Sequence, residues 1–411
     1  MKNTINEFLN KRKMNPQDIN PVECGKLVRD HMASGLEGNV IDMPMIKTYL
    51  TGDGDVPFNQ SAIVIDAGGT NYRCGLASFD SDGCHITEKK VMSMPGKDAP
   101  VPWESFVSFV VDSFEHIIDK ADRIGFCFSY SAEIMPDCDG KVITIDKEVN
   151  ITGCEGKLIG VSINEELARR GYASKRVVIL NDTVAALLGG SSALTKSDYS
   201  GLTGMICGTG FNLCISQDGM LYNTEAGFFN GIPQSDADAA VDAGSLQPGE
   251  KLLEKMTSGA YLGPVFSEAL REAVKDRYLP QSVEDRLEAL GGIGSSVVDR
   301  LTNGEDSKGL FDSPEDLEFA MHLARAVFER SARCVCSAMI GNMLLNGSGK
   351  DADKPAAFCA EGSLIEKSSF FKIYLEELLN RYALEKLGLH SVIILGSATT
   401  LPGSAAAALL N

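Results

Sequence analysis

Long hydrophobic runs are missing from this 411-residue chain. No apolar stretch approaches the ~18 residues that cross a bilayer, so no membrane helix is expected. Positive charge is in deficit: 38 Lys and Arg face 56 Asp and Glu, a net charge of −18. Such a surface repels nucleic-acid phosphates and anionic membranes, so neither is expected as a partner. Histidine is scarce and scattered (His31, His85, His116, His322, His390), and none is assigned a role. The eleven cysteines include no Cys-x-x-Cys pair, and Cys334 and Cys336 have no His cluster nearby. That spacing excludes a zinc framework and points to reduced core thiols. Met1-Lys2-Asn3-Thr4 leads into a polar segment with Asp18 and Glu23, which reads as neither signal nor transit peptide, so the expected location is cytoplasmic.

What is present is an ordinary globular mix, 44% hydrophobic and 23% charged. The length exceeds what one hydrophobic core usually supports, so two domains are expected. Asn20-Pro21-Val22-Glu23 reads as a helix start, with a cap, a first-turn proline and a carboxylate, and the helix runs to about Gly35. Ala62-Ile63-Val64-Ile65 and Tyr72 to Phe79 read as strands joined by a glycine turn. Further strands are expected at Ile124 to Phe128, Arg176 to Leu180, Thr203 to Cys207, Leu213 to Ser216, Ala356 to Cys359 and Val392 to Leu395. Helices are expected from Val184, Leu252 and Pro314, with a short alanine-rich helix closing the chain. The two glycine turns, Asp66-Ala67-Gly68-Gly69-Thr70-Asn71 and Gly208-Thr209-Gly210-Phe211-Asn212, look like copies of one device. This weak repeat suggests two α/β lobes, each presenting a hairpin turn to a shared cleft.

Taken singly, these motifs have plain structural readings. A glycine pair serves a hairpin turn, and Asn181-Asp182-Thr183 between strand and helix serves as an N-cap. Glu225, Glu254 and Lys147 read as solvated surface charges. The chemistry supports a second reading. Without side chains at Gly68 and Gly69, successive N–H groups can converge on an anion. Thr70 adds a hydroxyl, Arg73 a cation, and Asp66 a carboxylate able to hold the waters of Mg²⁺. The combination favours a nucleotide, and Asp182 stands at a strand's carboxyl end, where open α/β sheets bind ligands.

The order of the motifs adds a resemblance. Ile63-Val64-Ile65-Asp66-Ala67-Gly68-Gly69-Thr70-Asn71-Tyr72-Arg73 resembles the first phosphate motif of the hexokinases, within the actin-like ATPase superfamily. Leu180-Asn181-Asp182-Thr183-Val184-Ala185 resembles their catalytic segment, and Gly208-Thr209-Gly210-Phe211-Asn212 their second phosphate motif. Asn223-Thr224-Glu225-Ala226-Gly227, the stretch Asp242 to Gly263, and Glu361-Gly362-Ser363 follow in the family's order.

The resemblance implies an α/β fold with two actin-like (ribonuclease H-like) lobes, holding ATP and a sugar in the cleft between them. The expected organisation is a helical segment at 1–60 on the large lobe, a small lobe at 61–202 and a large lobe at 203–391. A strand and helix at 392–411 return toward the small lobe. The implied activity moves the γ-phosphoryl of MgATP to the 6-hydroxyl of a hexose such as glucose, the first step of glycolysis. Asp182 would be the base, with Lys147 as a second catalytic residue. Ser129, Asn181, Asp182, Asn212, Glu225 and Glu254 would bind the hexose. Asp66, Gly68, Gly69, Thr70, Asn71, Arg73, Gly208, Thr209, Gly210, Gly362 and Ser363 would bind ATP, with Asp66 at the Mg²⁺. Alternatives are a kinase for another hexose or amino sugar, and a hexokinase-like sugar sensor with weak or no turnover. A Rossmann dehydrogenase is disfavoured, because the glycine turn joins strand to strand. The chain departs from the family with Ser129-Tyr130-Ser131 in place of Ser-Phe-Pro and Asp146-Lys147 in place of Thr-Lys. It also carries extra residues between Gly396 and Gly403.

Overall fold

The computed structural model describes residues 2–52, 54–69, 71–145, 149–192, 194–396 and 398–411. The β-branched run around Ile63 becomes the buried centre of strand β1 (Ser61–Gly68). After it come β2 (Asn71–Asp80), β3 (Gly83–Ser93), β4 (Arg123–Phe128) and β5 (Arg176–Leu180). They form one sheet in the order β3-β2-β1-β4-β5. β1, β2 and β3 make an antiparallel meander, whereas β4 and β5 add in parallel. The second sheet contains β6 (Gly201–Cys207), β7 (Phe211–Gln217), β8 (Met220–Asn223), β9 (Ala356–Glu361) and β10 (Ser391–Leu395). Its order is β8-β7-β6-β9-β10, with the short strand Ile46–Lys47 added at the outer edge of β8. Strand senses match those of the first sheet. The repeat hinted at by two glycine turns therefore extends through two whole sheets.

The helices α1 (Pro21–Leu36), α2 (Asp182–Ser191), α3 (Leu252–Thr257), α4 (Pro314–Asn346) and α5 (Thr400–Leu410) frame the sheets. The start signals read from the sequence have their expected partners. Asn20 accepts the Val22 N–H at 3.1 Å, and Ser313 accepts the Asp316 N–H at 3.0 Å. α1 packs along α4 so closely that a Cβ at Gly25 would lie 2.7 Å from Ile340 Cγ2.

α2 and α5 exchange sheets. α2 leaves β5 of the first sheet but lies on the second, where a Cβ at Gly204 would come within 2.4 Å of Thr183 O. α5 leaves β10 of the second sheet but lies on the first, where a Cβ at Gly125 would come within 1.9 Å of Ser404 O. The two helices also cross each other. A Cβ at Gly189 would meet Thr399 O at 2.2 Å, and one at Gly403 would meet Ala185 O at 2.1 Å. A separate apolar cluster, including Val64, Leu180, Val184, Leu187, Ala405 and Ala406, fills this junction. Of the segment 392–411, the strand stays with the second sheet because it pairs in parallel with β9, and the helix lies on the first. The eleven cysteines are unpaired thiols, ten of them buried. No helix among the described residues is long and apolar enough to cross a membrane.

Candidate active site

The first glycine turn closes the β1–β2 hairpin, with Gly68 opposite Asn71 and Asp66 opposite Arg73. Gly69 has φ +56°, in the left-handed region that glycine adopts without cost. A Cβ at Gly68 would stand 2.9 Å from Ser129 Oγ, so the missing side chain lets Ser129 lie against the turn. Ser129 also donates its backbone N–H to Ala67 O at 3.1 Å. Tyr130 donates its phenol to Gly69 O at 3.1 Å. The tyrosine that departs from the family's Phe therefore braces the turn. Asp66 is buried, and Arg73 Nη1 donates to its Oδ2 at 2.9 Å. Asn71 is exposed, whereas Thr70 lies outside the described residues.

The second glycine turn closes the β6–β7 hairpin and packs against the β9 end. A Cβ at Gly208 would sit 3.0 Å from Gly362 Cα. One at Gly362, where φ is +129°, would sit 2.6 Å from Cys207 C. The two segments thus meet backbone to backbone, with Thr209 and Ser363 exposed beside them. The helix Gly259–Lys275 starts against the same turn. Gly259 N–H donates to Gly208 O at 2.7 Å.

At the end of β5, Asn181 Oδ1 accepts from Val184 N at 3.1 Å and from Thr183 Oγ1 at 2.7 Å, capping α2. Asp182 opens that helix and accepts the Thr183 N–H on Oδ1 at 2.8 Å. Facing residues come from the second lobe. Asn212 Oδ1 accepts the Ala226 N–H at 3.1 Å, and its Nδ2 donates to Asn223 Oδ1 at 2.7 Å. Asn223 Nδ2 in turn donates to Glu225 Oε1 at 2.7 Å. Glu225 has φ +52°, which turns the chain into the short helix Ala226–Phe228. Glu254, on α3, accepts the Phe211 N–H on Oε2 at 3.3 Å. A Cβ at Gly210 would approach that oxygen to 3.0 Å, so this glycine leaves room for the carboxylate.

These carboxylates feel one another. Burial raises the Asp66 carboxyl from its ordinary 3.8 to about 6, with Arg73 opposing and the Asp182 and Glu361 charges adding to the rise. Burial also raises Glu225. The Asn223 bond and Lys251 oppose the rise, whereas Asp182 and Glu254 add to it. Glu361 is raised by burial too, and the hydrogen bond from Thr399 opposes this. Surplus negative charge on these partly buried carboxylates fits a ligand that brings cations or hydroxyl donors.

The described residues singled out in the sequence lie on β1, β2, β7, α2 and α3 and in the turns that follow β1, β4, β5, β6, β8 and β9. Lys147, like Thr70, lies outside the described residues. Sequence reading gave no roles to Asn223, Tyr130, Glu361 or Thr399. Asn223 and Glu361 lie inside motifs already recognised. Tyr130 and Thr399 lie in the departures, where the surrounding polar partners are visible only once the chain is folded.

Residues 202–410 match a family model described as hexokinase, and residues 4–192 match a second one of the same description. Hexokinase-1 of Schizosaccharomyces pombe is 25% identical over 79% of this chain and 76% of that protein. Hexokinase-like 1 protein of Arabidopsis thaliana is 25% identical over 89% of this chain and 83% of its own length. Hexokinase-3 of Rattus norvegicus is 28% identical over 59% of this chain, a match that spans only 28% of that longer protein. A solved hexokinase from Schistosoma mansoni, complexed with glucose, shares the fold with a TM-score of 0.77, 20% identity and 99% coverage of both chains. Each half of the sequence carries one hexokinase model, with only residues 193–201 between them, and the chain belongs to the hexokinase family.

Proposed function

We propose that this chain transfers the γ-phosphoryl of MgATP to the 6-hydroxyl of a hexose, glucose first among them, in the opening step of glycolysis. The observation that supports the reading is that the buried Glu225 carboxylate feels the charges of both Asp182 and Glu254, with Glu254 accepting the Phe211 N–H beside the second glycine turn. A sugar offers several hydroxyl donors, and carboxylates and amides satisfy them in pairs. Buried acceptors also reject analogues that lack a hydroxyl, because the carboxylate would be left without a partner. In this reading Ser129, Asn181, Asn212, Glu225 and Glu254 orient the hexose. Asp182 takes the proton of the attacking hydroxyl, and Lys147 supports the transferring phosphoryl. Gly68, Gly69, Thr70, Asn71, Arg73, Gly208, Thr209 and Gly210 line the phosphates, with Gly362 and Ser363 beside the adenosine. Residues 61–202 and 203–391 then act as the two lobes that hold the substrates between them.

Asp66 fits a Mg²⁺ that keeps its waters: the carboxylate is buried, its neighbours Asp182 and Glu361 are acidic, and Arg73 is its opposing cation. Bound there, Mg²⁺ would neutralise charge on the transferring phosphoryl oxygens. The test is ADP release from ATP, with and without magnesium, across a panel of hexoses, hexosamines and pentoses. Sugar-stimulated, magnesium-dependent turnover that yields a hexose 6-phosphate is expected. No stimulation by any common hexose would overturn the proposal.

A further inference from the structure

Glu225 and Glu254 lie on different elements, and one residue between them joins both. Phe229 ends the short helix that Glu225 opens, donating its N–H to Ala226 O at 3.1 Å. Its carbonyl accepts the Leu253 N–H at 3.1 Å, in the first turn of α3, one residue before Glu254. Gly227 lets the two elements touch, since a Cβ there would stand 3.1 Å from Glu254 Cβ. Displacing Phe229 therefore displaces both carboxylates.

Phe229 is held from outside by the segment that follows α1. Asp42 Oδ2 accepts the N–H of Asn230, the next residue, at 2.9 Å. Its Oδ1 meets His31 Nδ1, on α1, at 2.9 Å, and the Asp42 side chain is only 6% exposed. The His31 ring stands edge-on to the Phe229 ring, with centroids 5.0 Å apart. The holding segment is itself fixed. A Cβ at Gly35 of α1 would come within 2.4 Å of Met43 O. A few residues on, Ile46 and Lys47 pair with Asn223 and Tyr222, at the end of the strand leading into Glu225.

We infer that Asp42, gripped by His31, is a positioning residue for the hexose subsite, through which the N-terminal segment sets the placement of Glu225 and Glu254. This rests on the reading of those two carboxylates as sugar ligands. Neither Asp42 nor His31 touches the sugar. Their effect is on the cost of holding both acceptors at once in the geometry a hexose needs.

The experiment compares wild type, Asp42→Ala, Asp42→Asn, His31→Gln and Glu225→Gln in steady-state assays with glucose and MgATP. Glucose binding without nucleotide is measured in parallel by calorimetry. Asp42→Ala is expected to raise the glucose KM and Kd by about 3- to 30-fold, the range of a moderate coupling energy. The MgATP KM and kcat should change less than the glucose KM, within about 2-fold, because among the described residues Asp42 bonds only Asn230 and His31 and neither glycine turn. Asp42→Asn keeps an acceptor for the Asn230 N–H and is expected to restore most of the affinity. If Asp42→Ala does not fold, His31→Gln, which only loosens the grip, is expected to show the same split at the lower end of that range. An unchanged glucose KM in these variants, or equal changes in all parameters, overturns the inference, provided Glu225→Gln weakens glucose. If Glu225→Gln has no effect either, the sugar-site reading itself has failed.

Discussion

Asp66 and Arg73 are partners in register across the first hairpin, and Arg73 Nη1 donates to Asp66 Oδ2 at 2.9 Å. Side chains on opposed residues of an antiparallel pair share a face, so the backbone register brings this guanidinium to this carboxylate. Burial raises the Asp66 carboxyl to about 6, and Arg73 restrains the rise.

The first prediction follows from that pair. In the proposed reading Asp66 is ionised when it holds the waters of Mg²⁺, and with its carboxyl raised to about 6 it gains a proton as the pH falls through that value. The kcat/KM for MgATP should therefore fall on the acid side, with an apparent pKa near 6. Arg73→Met removes the cation that favours the carboxylate, so this limb should move to higher pH. A pH profile in which it stays put or moves to lower pH refutes the assignment.

The second concerns Asp182. Its Oδ1 already accepts the Thr183 N–H, so Asp182→Asn keeps the oxygen that supports the start of α2. The amide cannot take a proton. The expected result is a kcat lowered by about 10²- to 10⁴-fold, the usual scale for a lost general base. Glucose affinity should change only a few-fold, as read by calorimetry. A near-normal kcat would leave Asp182 with only its helix-start role.

The third tests the junction of the lobes. Alanine is a better helix former than glycine by about 1 kcal/mol, so Gly189→Ala within α2 would stabilise an isolated helix. Here the new Cβ would meet Thr399 O at 2.2 Å, a backbone atom that cannot swing aside. The substitution should cost about 1–3 kcal/mol in urea-induced unfolding. Equal or greater stability in the variant would contradict the close crossing of α2 and α5.

The two hairpins were legible from apolar runs joined by glycine turns, and the parallel strands from short apolar runs, the β-branched one at Arg176–Leu180 most clearly. α1 and α4 were legible through cap residues and first-turn proline. The helices Trp103–Phe114 and Ile159–Arg169 were not read. Neither N-cap, Pro102 or Leu158, makes a side-chain cap bond. The edge strand β3 alternates exposed residues with few apolar ones, which leaves little pattern to find. The site was legible as motifs but not as a network. Nothing in the sequence says that Asn212 is tied to Asn223 and through it to Glu225, because cross-strand neighbours eleven residues apart meet only in the folded sheet. The exchange of α2 and α5 between sheets is likewise a tertiary result. It depends on Gly125, Gly189, Gly204 and Gly403 meeting backbone atoms from distant parts of the chain.

The last prediction is that the hexose closes the cleft before ATP reacts. Asp182 follows the last strand of the first sheet, Glu225 and Glu254 belong to the half of the chain that carries the second, and the charge of Asp182 is felt at Glu225. Without sugar, the Asp182 and Glu225 charges oppose each other. A hexose places hydroxyl donors between them, so it binds the closed form better and shifts the population toward it. Closure has a chemical purpose as well. Water carries the same nucleophilic group as the sugar hydroxyl, and a permanently assembled site would hydrolyse ATP. In this reading, the crossed helices α2 and α5, each packed on the sheet it does not follow, would be the junction about which the lobes turn. Small-angle scattering should show a smaller radius of gyration on adding glucose without nucleotide, and ATP hydrolysis without sugar should be far slower than the kinase reaction. An unchanged scattering profile at saturating glucose, together with fast sugar-independent hydrolysis, would refute closure and leave the fold untouched.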